Sequence, residues 1–349
     1  MLEGHIRRGG EIGRRASLRS WWEQSRGSSN LPLGTMKKIR VALLMGGPSA
    51  EHEVSLATGK VVLNALDKSK YQVQPVRISK TGVWPIRPDQ LKSDVAFIAM
   101  HGTYGEDGTV QGCLEAAKIP YTGSGVLASA IAMDKARSAN LFSYHGLQTP
   151  SYVPVGRNCT RSDLVRIAGE IGLPCVVKPS NCGSSVGITI VRKRGDLVAA
   201  VALAHKHDRT ALVQEYIDGD EVTCGVVEDP KTGLASALQP TQIIPKTGEF
   251  FDYHAKYTAG ASEEVTPPRL SKAVIKEIQT IAVKAHEILG CRGMSRTDMI
   301  VSLKGIFVLE TNTIPGMTET SLLPQAAAAV GIPFPKLLDR LIQSALRKK

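Results

Sequence analysis

The sequence predicts an α/β protein with more than one packed unit, and three observations support this fold class. From Ile39 onward the 349-residue chain alternates short apolar runs with longer amphipathic stretches, as strands and helices do when they alternate. Two apolar runs, residues 39–45 and 95–100, end at glycine-containing turns. The chain is also too long for a single hydrophobic core. We therefore expect an open sheet first, with ligands at the carboxyl ends of its strands.

Four segments are expected along the chain: a tail, an open-sheet unit, a central unit with a glycine-rich loop, and a C-terminal unit. Their ranges are residues 1–35, 36–133, 134–214 and 215–349. One continuous helix is expected over residues 126–144, where the open-sheet and central units meet. Another is expected to begin after the N-cap Ser271 and to end before Gly290.

The tail is rich in Arg, Ser and Gly and has no apolar periodicity. This composition is typical of an organelle transit peptide. An upstream start codon, with Met36 as the first working residue, is the interpretation we prefer. In either case we expect the tail to be disordered.

The overall composition excludes several classes of protein. The chain is 42% apolar and 21% charged, as ordinary soluble domains are, and it has no apolar run long enough to span a bilayer. Its six cysteines are scattered without a C-x-x-C pair, which indicates reduced thiols of a cytoplasmic protein and neither a zinc site nor a disulfide frame. The net charge of +11 invites a nucleic-acid partner, but six arginines lie in the tail. No nucleic-acid module or aromatic stacking set is present.

A predicted β-hairpin near the C-terminal end brings polar side chains together. Two apolar runs, residues 294–301 and 306–312, flank a short turn with a glycine, which is the pattern of an antiparallel hairpin. Opposed residues share a face, as do residues two apart on one strand. Centring the turn on Lys304 therefore puts four polar residues on one face. They are Arg296, Asp298, Glu310 and Asn312.

This set has the chemistry of a magnesium site. Asp298 falls opposite Glu310 and Arg296 opposite Asn312, so two carboxylates and an amide oxygen meet. Mg²⁺ prefers oxygen ligands and is often shared with nucleotide phosphates, and an adjacent arginine can neutralise a phosphoryl group or an oxyanion. A surface ion pair is the simpler alternative. The flanking runs are apolar, however, so the carboxylates are expected to be buried, where they need a compensating cation.

A second motif is a loop of small residues after an apolar strand. Lys178 ends the strand expected at residues 175–178, and residues 181–187 read Asn-Cys-Gly-Ser-Ser-Val-Gly. Glycines let backbone N–H groups approach phosphate oxygens, and the lysine adds positive charge. The order G-x-x-x-x-G-K-[ST] is absent, which disfavours a P-loop nucleotidase. We expect the loop to cover a nucleotide, with Ser185 among its contacts.

The strand expected at residues 211–217 offers contacts for the base and the ribose. Its exit can hydrogen-bond adenine through the backbone, and a glutamate that follows can bind ribose hydroxyls. The candidate residues are Gln214, Glu215, Ile217 and Glu221.

Four segments in one order resemble the ATP-grasp enzymes, and more closely the D-alanine–D-alanine ligases. They are residues 46–55 (GGPSAEHEVS), 101–112 (HGTYGEDGTVQG), 178–187 and 296–321. The second segment is highly specific to this family. The resemblance extends from Ile39 to the C-terminal helix, and it implies an ATP-grasp fold with a Rossmann-like open-sheet domain at the N-terminal end.

The resemblance also implies an activity, namely ATP-dependent ligation of two D-alanines to D-alanyl-D-alanine for peptidoglycan precursors. One D-alanine carboxylate would take the γ-phosphoryl group of ATP, and the amine of a second D-alanine would attack the acyl phosphate. The implied cofactor is Mg²⁺, two ions per site, with Mn²⁺ as a substitute. A homodimer is the implied assembly.

Residue roles at the first substrate follow from the same motifs. The resemblance implies that Glu51 holds the first ammonium group and that His101 lies beside the first carboxylate. Ser184 and Tyr257 would join Glu51 in a hydrogen-bonded group, and Tyr257 would lie on a loop that excludes water.

Further roles concern the second substrate and ATP. The Gly316 amide and Arg296 would form the oxyanion site, and Ser321 with the Leu322 backbone would bind the second carboxylate. The lysines implied at ATP are Lys135, Lys178 and Lys256.

Two departures from the family pattern are visible. Thr297 and Thr311 stand where aliphatic residues are usual, and Gln214 stands where an acidic residue is usual. The hairpin register puts the two threonines opposite each other on the face away from the metal set, so we predict that they form a cross-strand pair.

Two alternative functions remain at this point. One is ligation of D-alanine to D-lactate or D-serine. Tyr257 favours D-alanine over a D-hydroxy acid as the second substrate. The other is a nucleotide-binding relative without turnover, which the intact set of site residues disfavours.

Overall fold

The computed structural model describes residues 37–183, 186–246 and 262–347. From Lys38 onward the chain forms one unit by its contacts, and the described residues build three β-sheets. The tail over residues 1–35 lies outside the described residues. In the part of the chain that is described, no helix has both the length and the apolarity needed to cross a bilayer.

The first sheet is parallel, as predicted for an open-sheet unit. Its strands are β1 (Ile39–Gly46), β2 (Tyr71–Ile78) and β3 (Val95–Ile98), in the order β2-β1-β3. The nearby helices are α1 (His52–Ala65) and α2 (Thr109–Ala116). The apolar runs of β1 and β3 are almost wholly buried, as in parallel sheets that are covered on both faces. β1 ends at the first residue of the segment 46–55, and β3 ends three residues before the segment 101–112 begins.

The prediction of one continuous helix over residues 126–144 is wrong in one respect, because the structure has two helices in this range. The pieces are α3 (Val126–Met133) and α4 (Lys135–Tyr144). Asp134 between them has an extended backbone, and its side chain accepts hydrogen bonds from the Ala136 and Arg137 amides. This is an N-cap, and it makes Lys135 the first residue of a new helix.

The second sheet is antiparallel and carries the glycine-rich loop. Its strands are β4 (Tyr152–Gly156), β5 (Cys175–Pro179), β6 (Thr189–Val191) and β7 (Thr210–Glu215), in the order β4-β7-β5-β6. Two helices, α5 (Arg161–Ile171) and α6 (Leu197–Ala204), pack on it. The loop between β5 and β6 is the one predicted to cover a nucleotide.

The third sheet contains the predicted hairpin. Its strands are β8 (Asp220–Glu228), β9 (Ala235–Ala237), β10 (Thr241–Pro245), β11 (Ser262–Val265), β12 (Met294–Ser302) and β13 (Gly305–Asn312). The order is β11-β10-β8-β12-β13, with β9 paired to β8. The helices are α7 (Lys272–Leu289), α8 (Leu322–Ala329) and α9 (Phe334–Leu346). Both predicted ends of α7 are confirmed, because the Ser271 side chain accepts from the Val274 amide and Gly290 has φ +68°.

The hairpin β12–β13 has the predicted pairs at its far end. Arg296 pairs with Asn312 and Asp298 pairs with Glu310. The four side chains therefore share one face, which we call the front face, as the sequence predicted.

The same hairpin differs from the prediction near its turn. Ser302 pairs with Gly305, so the turn is centred between Leu303 and Lys304, whereas the prediction centred it on Lys304. A β-bulge at Leu309 takes up the difference, and bulges of this kind re-aim side chains. Val308 and Glu310 consequently point to opposite faces although they are two residues apart. The prediction at the site was correct because the bulge offsets the error at the turn.

Candidate active site

A cavity of about 410 Å³ opens between the end of β3, the start of α4, the hairpin and the start of α8. Its walls bring together nine of the nineteen predicted site residues. Those that line it are Glu51, His101, Lys135, Arg296, Glu310, Asn312, Gly316, Ser321 and Leu322.

The Arg296–Asp298 pair occupies the centre of the front face. Arg296 donates from Nε and Nη2 to the two oxygens of Asp298, both at 2.9 Å, which is the bidentate geometry of strong charged pairs. Thr223 on β8 donates to Asp298 Oδ1 at 2.5 Å. Burial opposes the charge of Arg296, but the attraction of Asp298 outweighs it and raises the Arg296 pKa above its usual range. Sequence reasoning missed Thr223, because only the strand order places β8 beside β12.

Glu310 is paired with a lysine from another element. Lys135 lies 3.0 Å from Glu310 Oε2 and donates to the Cys182 carbonyl at 2.6 Å, so α4, β13 and the glycine-rich loop meet at this side chain. Lys178 on β5 is close by and buried. Burial lowers the pKa of Lys178 to about 8, which the negative Glu310 partly counters.

The front face fits an oxygen-ligated cation. Asp298, Glu310 and Asn312 offer two carboxylates and one amide oxygen, and Asn312 Oδ1 is held by the Ile314 amide at 3.0 Å. No cluster of three or more His, Cys, Asp or Glu that could hold a metal occurs among the described residues. Mg²⁺ would take the three oxygen ligands named above and complete its octahedral shell with waters and substrate phosphates.

The end of β1 and the end of β3 form the opposite wall. His101 is 5% exposed; its Nε2 shares a hydrogen bond with Thr58 Oγ1 at 2.9 Å, and its Nδ1 lies 3.5 Å from Glu106. Burial and the nearby Glu51 raise the pKa of the Glu106 carboxyl, although His101 opposes the shift. Sequence reasoning missed Thr58 and Glu106 as partners of His101. Glu106 lies in the segment 101–112, which is specific to the family. That segment was the sequence signal that could have identified Glu106.

Glu51 joins this wall to the glycine-rich loop. A Cβ atom at Gly102 would lie 2.5 Å from Glu51 Oε2, and one at Gly183 would lie 3.2 Å from the same oxygen. Gly102 also has φ +72°, which L side chains rarely adopt. Glycine at both positions thus lets the carboxylate lie between the two loops.

The start of α8 forms the remaining wall. Ser321 is the N-cap residue of α8, and its hydroxyl accepts from the Thr318 amide at 3.1 Å. A Cβ atom at Gly316 would lie 2.8 Å from Ser321 Oγ, so the 316–321 turn is tight. Leu322 is the first residue of α8. A helix N-terminus with free amides attracts anions, as the predicted carboxylate site requires.

The residues predicted at the base and ribose are not in this cavity. Gln214 and Glu215 end β7, Ile217 lies in the connection to β8, and Glu221 is near the start of β8. Gln214 is 5% exposed, so its side chain belongs to the sheet interior. Glu215 accepts from the Ser151 amide at 3.3 Å. The predicted contacts of these four residues stay predictions.

Four further predicted residues lie outside the described residues. They are Ser184, Ser185, Lys256 and Tyr257. Their roles also stay predictions.

Comparisons with known proteins agree with this architecture. A family model described as D-ala D-ala ligase C-terminus matches residues 141–343, and one described as D-ala D-ala ligase N-terminus matches residues 40–93 and 87–124. A D-alanine–D-alanine ligase from Syntrophobacter fumaroxidans is 51% identical over 312 residues, which cover 89% of this chain and 98% of that protein.

Solved structures give the same result. The VanG D-Ala:D-Ser ligase from Enterococcus faecalis matches with a TM-score of 0.79 and 32% identity, over 88% of this chain and 100% of that one. The D-alanine–D-alanine ligase from Bacillus anthracis, solved with ATP, matches with a TM-score of 0.74 and 33% identity, over 88% of this chain and 98% of that one. The ATP-grasp fold predicted from the sequence is thereby confirmed. The chain belongs to the D-alanine–D-alanine ligase family.

Proposed function

We propose that this protein joins two D-alanines to D-alanyl-D-alanine in the cytoplasm, using ATP, and so supplies a precursor of peptidoglycan. The observation that carries the proposal is the cavity itself, in which the acidic wall at Glu51, Arg296 of the front face and a helix N-terminus converge. These are complementary to an ammonium group, a reacting carboxyl group and a second carboxylate. The alternative of a relative without turnover lacks support, because the described part of this set is intact.

The first amino acid is placed at the wall formed by Glu51 and His101. Glu51 attracts its ammonium group, and His101, oriented by Thr58 and Glu106, lies beside its carboxylate. This orientation directs one carboxylate oxygen toward the γ-phosphoryl group of ATP. Attack by that oxygen forms the acyl phosphate and releases ADP.

The phosphates are placed between Lys135, Lys178 and the front face. Asp298, Glu310 and Asn312 would hold Mg²⁺, two ions in the complete site or Mn²⁺ in their place, and the bound ion neutralises phosphate charge during transfer. Lys135 is already held beside Glu310 at 3.0 Å, so it is positioned before ATP arrives. Such positioning reduces the reorganisation needed in the transition state.

The second amino acid is placed with its carboxylate at Ser321 and the Leu322 amide. Its ammonium group first loses one proton to solvent water. The resulting neutral amine attacks the acyl carbon and forms the C–N bond, while the C–O bond to phosphate breaks and phosphate leaves with the electron pair. The oxyanion of the tetrahedral intermediate is stabilised by Arg296 and the Gly316 amide. The amine proton that is lost goes to the departing phosphate.

The domain division at residues 36–133, 134–214 and 215–349 and the homodimer belong to this proposal as well. Three separate sheets along the chain support the division. The homodimer is carried over from the family resemblance alone, and sedimentation of the purified chain tests it.

Phosphate release tests the function directly. Purified protein with ATP, Mg²⁺ and D-alanine is expected to release phosphate and to form the D-alanyl-D-alanine dipeptide. Parallel reactions with D-alanine plus D-serine or D-lactate separate the alternatives, of which D-serine use is named for the VanG relative. An absence of phosphate release with D-alanine would contradict the proposal, and a mixed dipeptide as the main product would replace it.

A further inference from the structure

Glu264 projects into the same cavity from a strand that no motif marks. It lies on β11, at the edge of the third sheet, and lines the cavity. The register sets it opposite Ile243, which pairs with Glu221, which in turn pairs with Ile300. Ile300 is two residues from Asp298, so the whole row shares one face. Glu264 therefore belongs to the front face although it comes from a distant strand.

A neutral side chain connects Glu264 to the start of α8. Gln325 Nε2 donates to Glu264 Oε2 at 3.0 Å and to the Thr320 carbonyl at 2.6 Å. The backbone amide of Gln325 donates to the Ser321 carbonyl at 3.1 Å. Glu264 is thus one side chain away from the segment proposed to hold the second carboxylate. An amino acid bound there would have its α-substituent within reach of Glu264.

The charge of Glu264 is balanced differently from that of the neighbouring carboxylates. Asp298 is bonded to Arg296 and Glu310 is bonded to Lys135. Among the described residues, the hydrogen-bond donor to Glu264 is the neutral side-chain amide of Gln325. Burial raises the pKa of the half-buried Glu264 carboxyl, which the Gln325 bond and the more distant Arg296 only partly counter. A cationic group of a ligand would offset the energetic cost of burying the negative charge of this carboxylate.

From this geometry we propose that Glu264 binds the α-ammonium group of the second amino acid and so selects an amino acid over a hydroxy acid at that subsite. The inference rests on the proposed ligation and adds the residue that recognises the incoming nucleophile. An ammonium group donates up to three charged hydrogen bonds, whereas the hydroxyl of a hydroxy acid brings no charge. The carboxylate therefore favours the amine-bearing substrate, and Gln325 fixes the orientation of that carboxylate.

The variant Glu264→Gln tests the assignment, because it keeps the shape and removes the charge. Losing a charged hydrogen bond corresponds to a rise of about 10- to 100-fold in the KM for the second D-alanine, with the KM for the first D-alanine unchanged. In a mixture of D-alanine and D-lactate, the ratio of dipeptide to D-alanyl-D-lactate should fall by a similar factor. Product ratios by mass spectrometry and two-site kinetics of phosphate release provide these quantities.

A matched control lies on the next residue of the same strand. Glu263 points to the other side and is ion-paired with Arg269 at the surface, so Glu263→Gln should behave as the wild type. Glu264→Asp keeps the charge on a shorter side chain and should give an intermediate product ratio. It provides the same comparison with the wild type if Glu264→Gln does not fold.

The two proposals fail in different ways. Acyl phosphate formed in the first step is trapped by hydroxylamine as the D-alanine hydroxamate, and this signal should be the same in the wild type and in Glu264→Gln. No phosphate release and no hydroxamate from the wild type would contradict the proposed function. Normal release by the wild type, with an unchanged second KM and product ratio in the variant, would overturn the assignment of Glu264 alone.

Discussion

The front and rear faces of the hairpin β12–β13 carry opposite chemistry. The front face holds charges that are matched inside the protein, with Arg296 bonded to Asp298 and Lys135 bonded to Glu310. The polar side chains that the rear face carries among apolar ones are neutral hydroxyls. They are Ser295, Thr297 and Thr311, which are 0%, 0% and 3% exposed.

Each rear hydroxyl is satisfied by one neighbour. Thr297 Oγ1 and Thr311 Oγ1 share a hydrogen bond at 3.0 Å, and Ser295 Oγ shares one with His286 Nδ1 at 2.8 Å. The Thr297–Thr311 bond joins two neutral hydroxyls, whereas each front carboxylate is ion-paired with a basic side chain. The contrast indicates that front substitutions alter turnover and rear substitutions alter stability.

The largest expected effect is on the front face. Glu310→Gln should lower turnover by more than about 100-fold, since even indirect partners of a bound metal are worth 10- to 100-fold. It should also raise the Mg²⁺ concentration needed for half-maximal rate. Phosphate release over a Mg²⁺ titration measures both. Thr311→Val, the neighbouring rear substitution, is the control and should keep its turnover; equal losses in the two variants would remove the distinction between the faces.

The second effect concerns Lys178, which lies beside the front face. Its pKa of about 8 is below the unfolded value of about 10.4, so the unfolded chain binds more protons between these two values. The free energy of unfolding should therefore rise as the pH increases from 8 to 10.5. Lys178→Met should remove this rise and, at pH 7, stabilise the ligand-free protein by roughly 1–3 kcal/mol, while it weakens ATP binding.

Urea unfolding at several pH values, compared between the wild type and Lys178→Met, isolates this residue from other groups that titrate. The stability difference should shrink as the pH approaches 10. A difference that stays constant with pH would show that the lysine is not the cause. ATP titration of both proteins supplies the second readout.

The smallest effect is on the rear face. Thr297→Val alone leaves the Thr311 hydroxyl buried without its partner, which should cost about 1–2 kcal/mol. The double variant Thr297→Val/Thr311→Val removes both hydroxyls and should recover most of that loss. Denaturant unfolding of the two single variants and the double variant gives the coupling energy. A coupling near zero would mean that the two threonines act independently.

Local patterns carried the predictions that were correct. The cross-strand pair of Thr297 and Thr311 was predicted from hairpin register and is confirmed at 3.0 Å. The ends of α7 followed from Ser271 and Gly290, because capping depends on a few neighbouring residues. The break at Asp134 was missed although its signal was also local, since an aspartate followed by a helical pattern is itself an N-cap signal.

The rest of the site depends on contacts between distant parts of the chain. Thr223 reaches Asp298 and Glu264 joins the front face only because the strand order is β11-β10-β8-β12. Single polar residues on short strands have no periodicity that distinguishes a site from a surface. The bulge at Leu309 also could not be predicted from the sequence. One extra residue in a β-rich run leaves it ambiguous which side chains point to which face of the sheet.

That bulge has a consequence for chain length. If Leu309 were deleted, Val308 would be followed directly by Glu310, and the regular register that runs from Ser302 opposite Gly305 would still bring Glu310 opposite Asp298. The facing carboxylates are therefore compatible with two lengths of β13, one with the extra residue and one without it. A one-residue gap at this point, when relatives are aligned, is thus no sign that the proposed magnesium set has been lost.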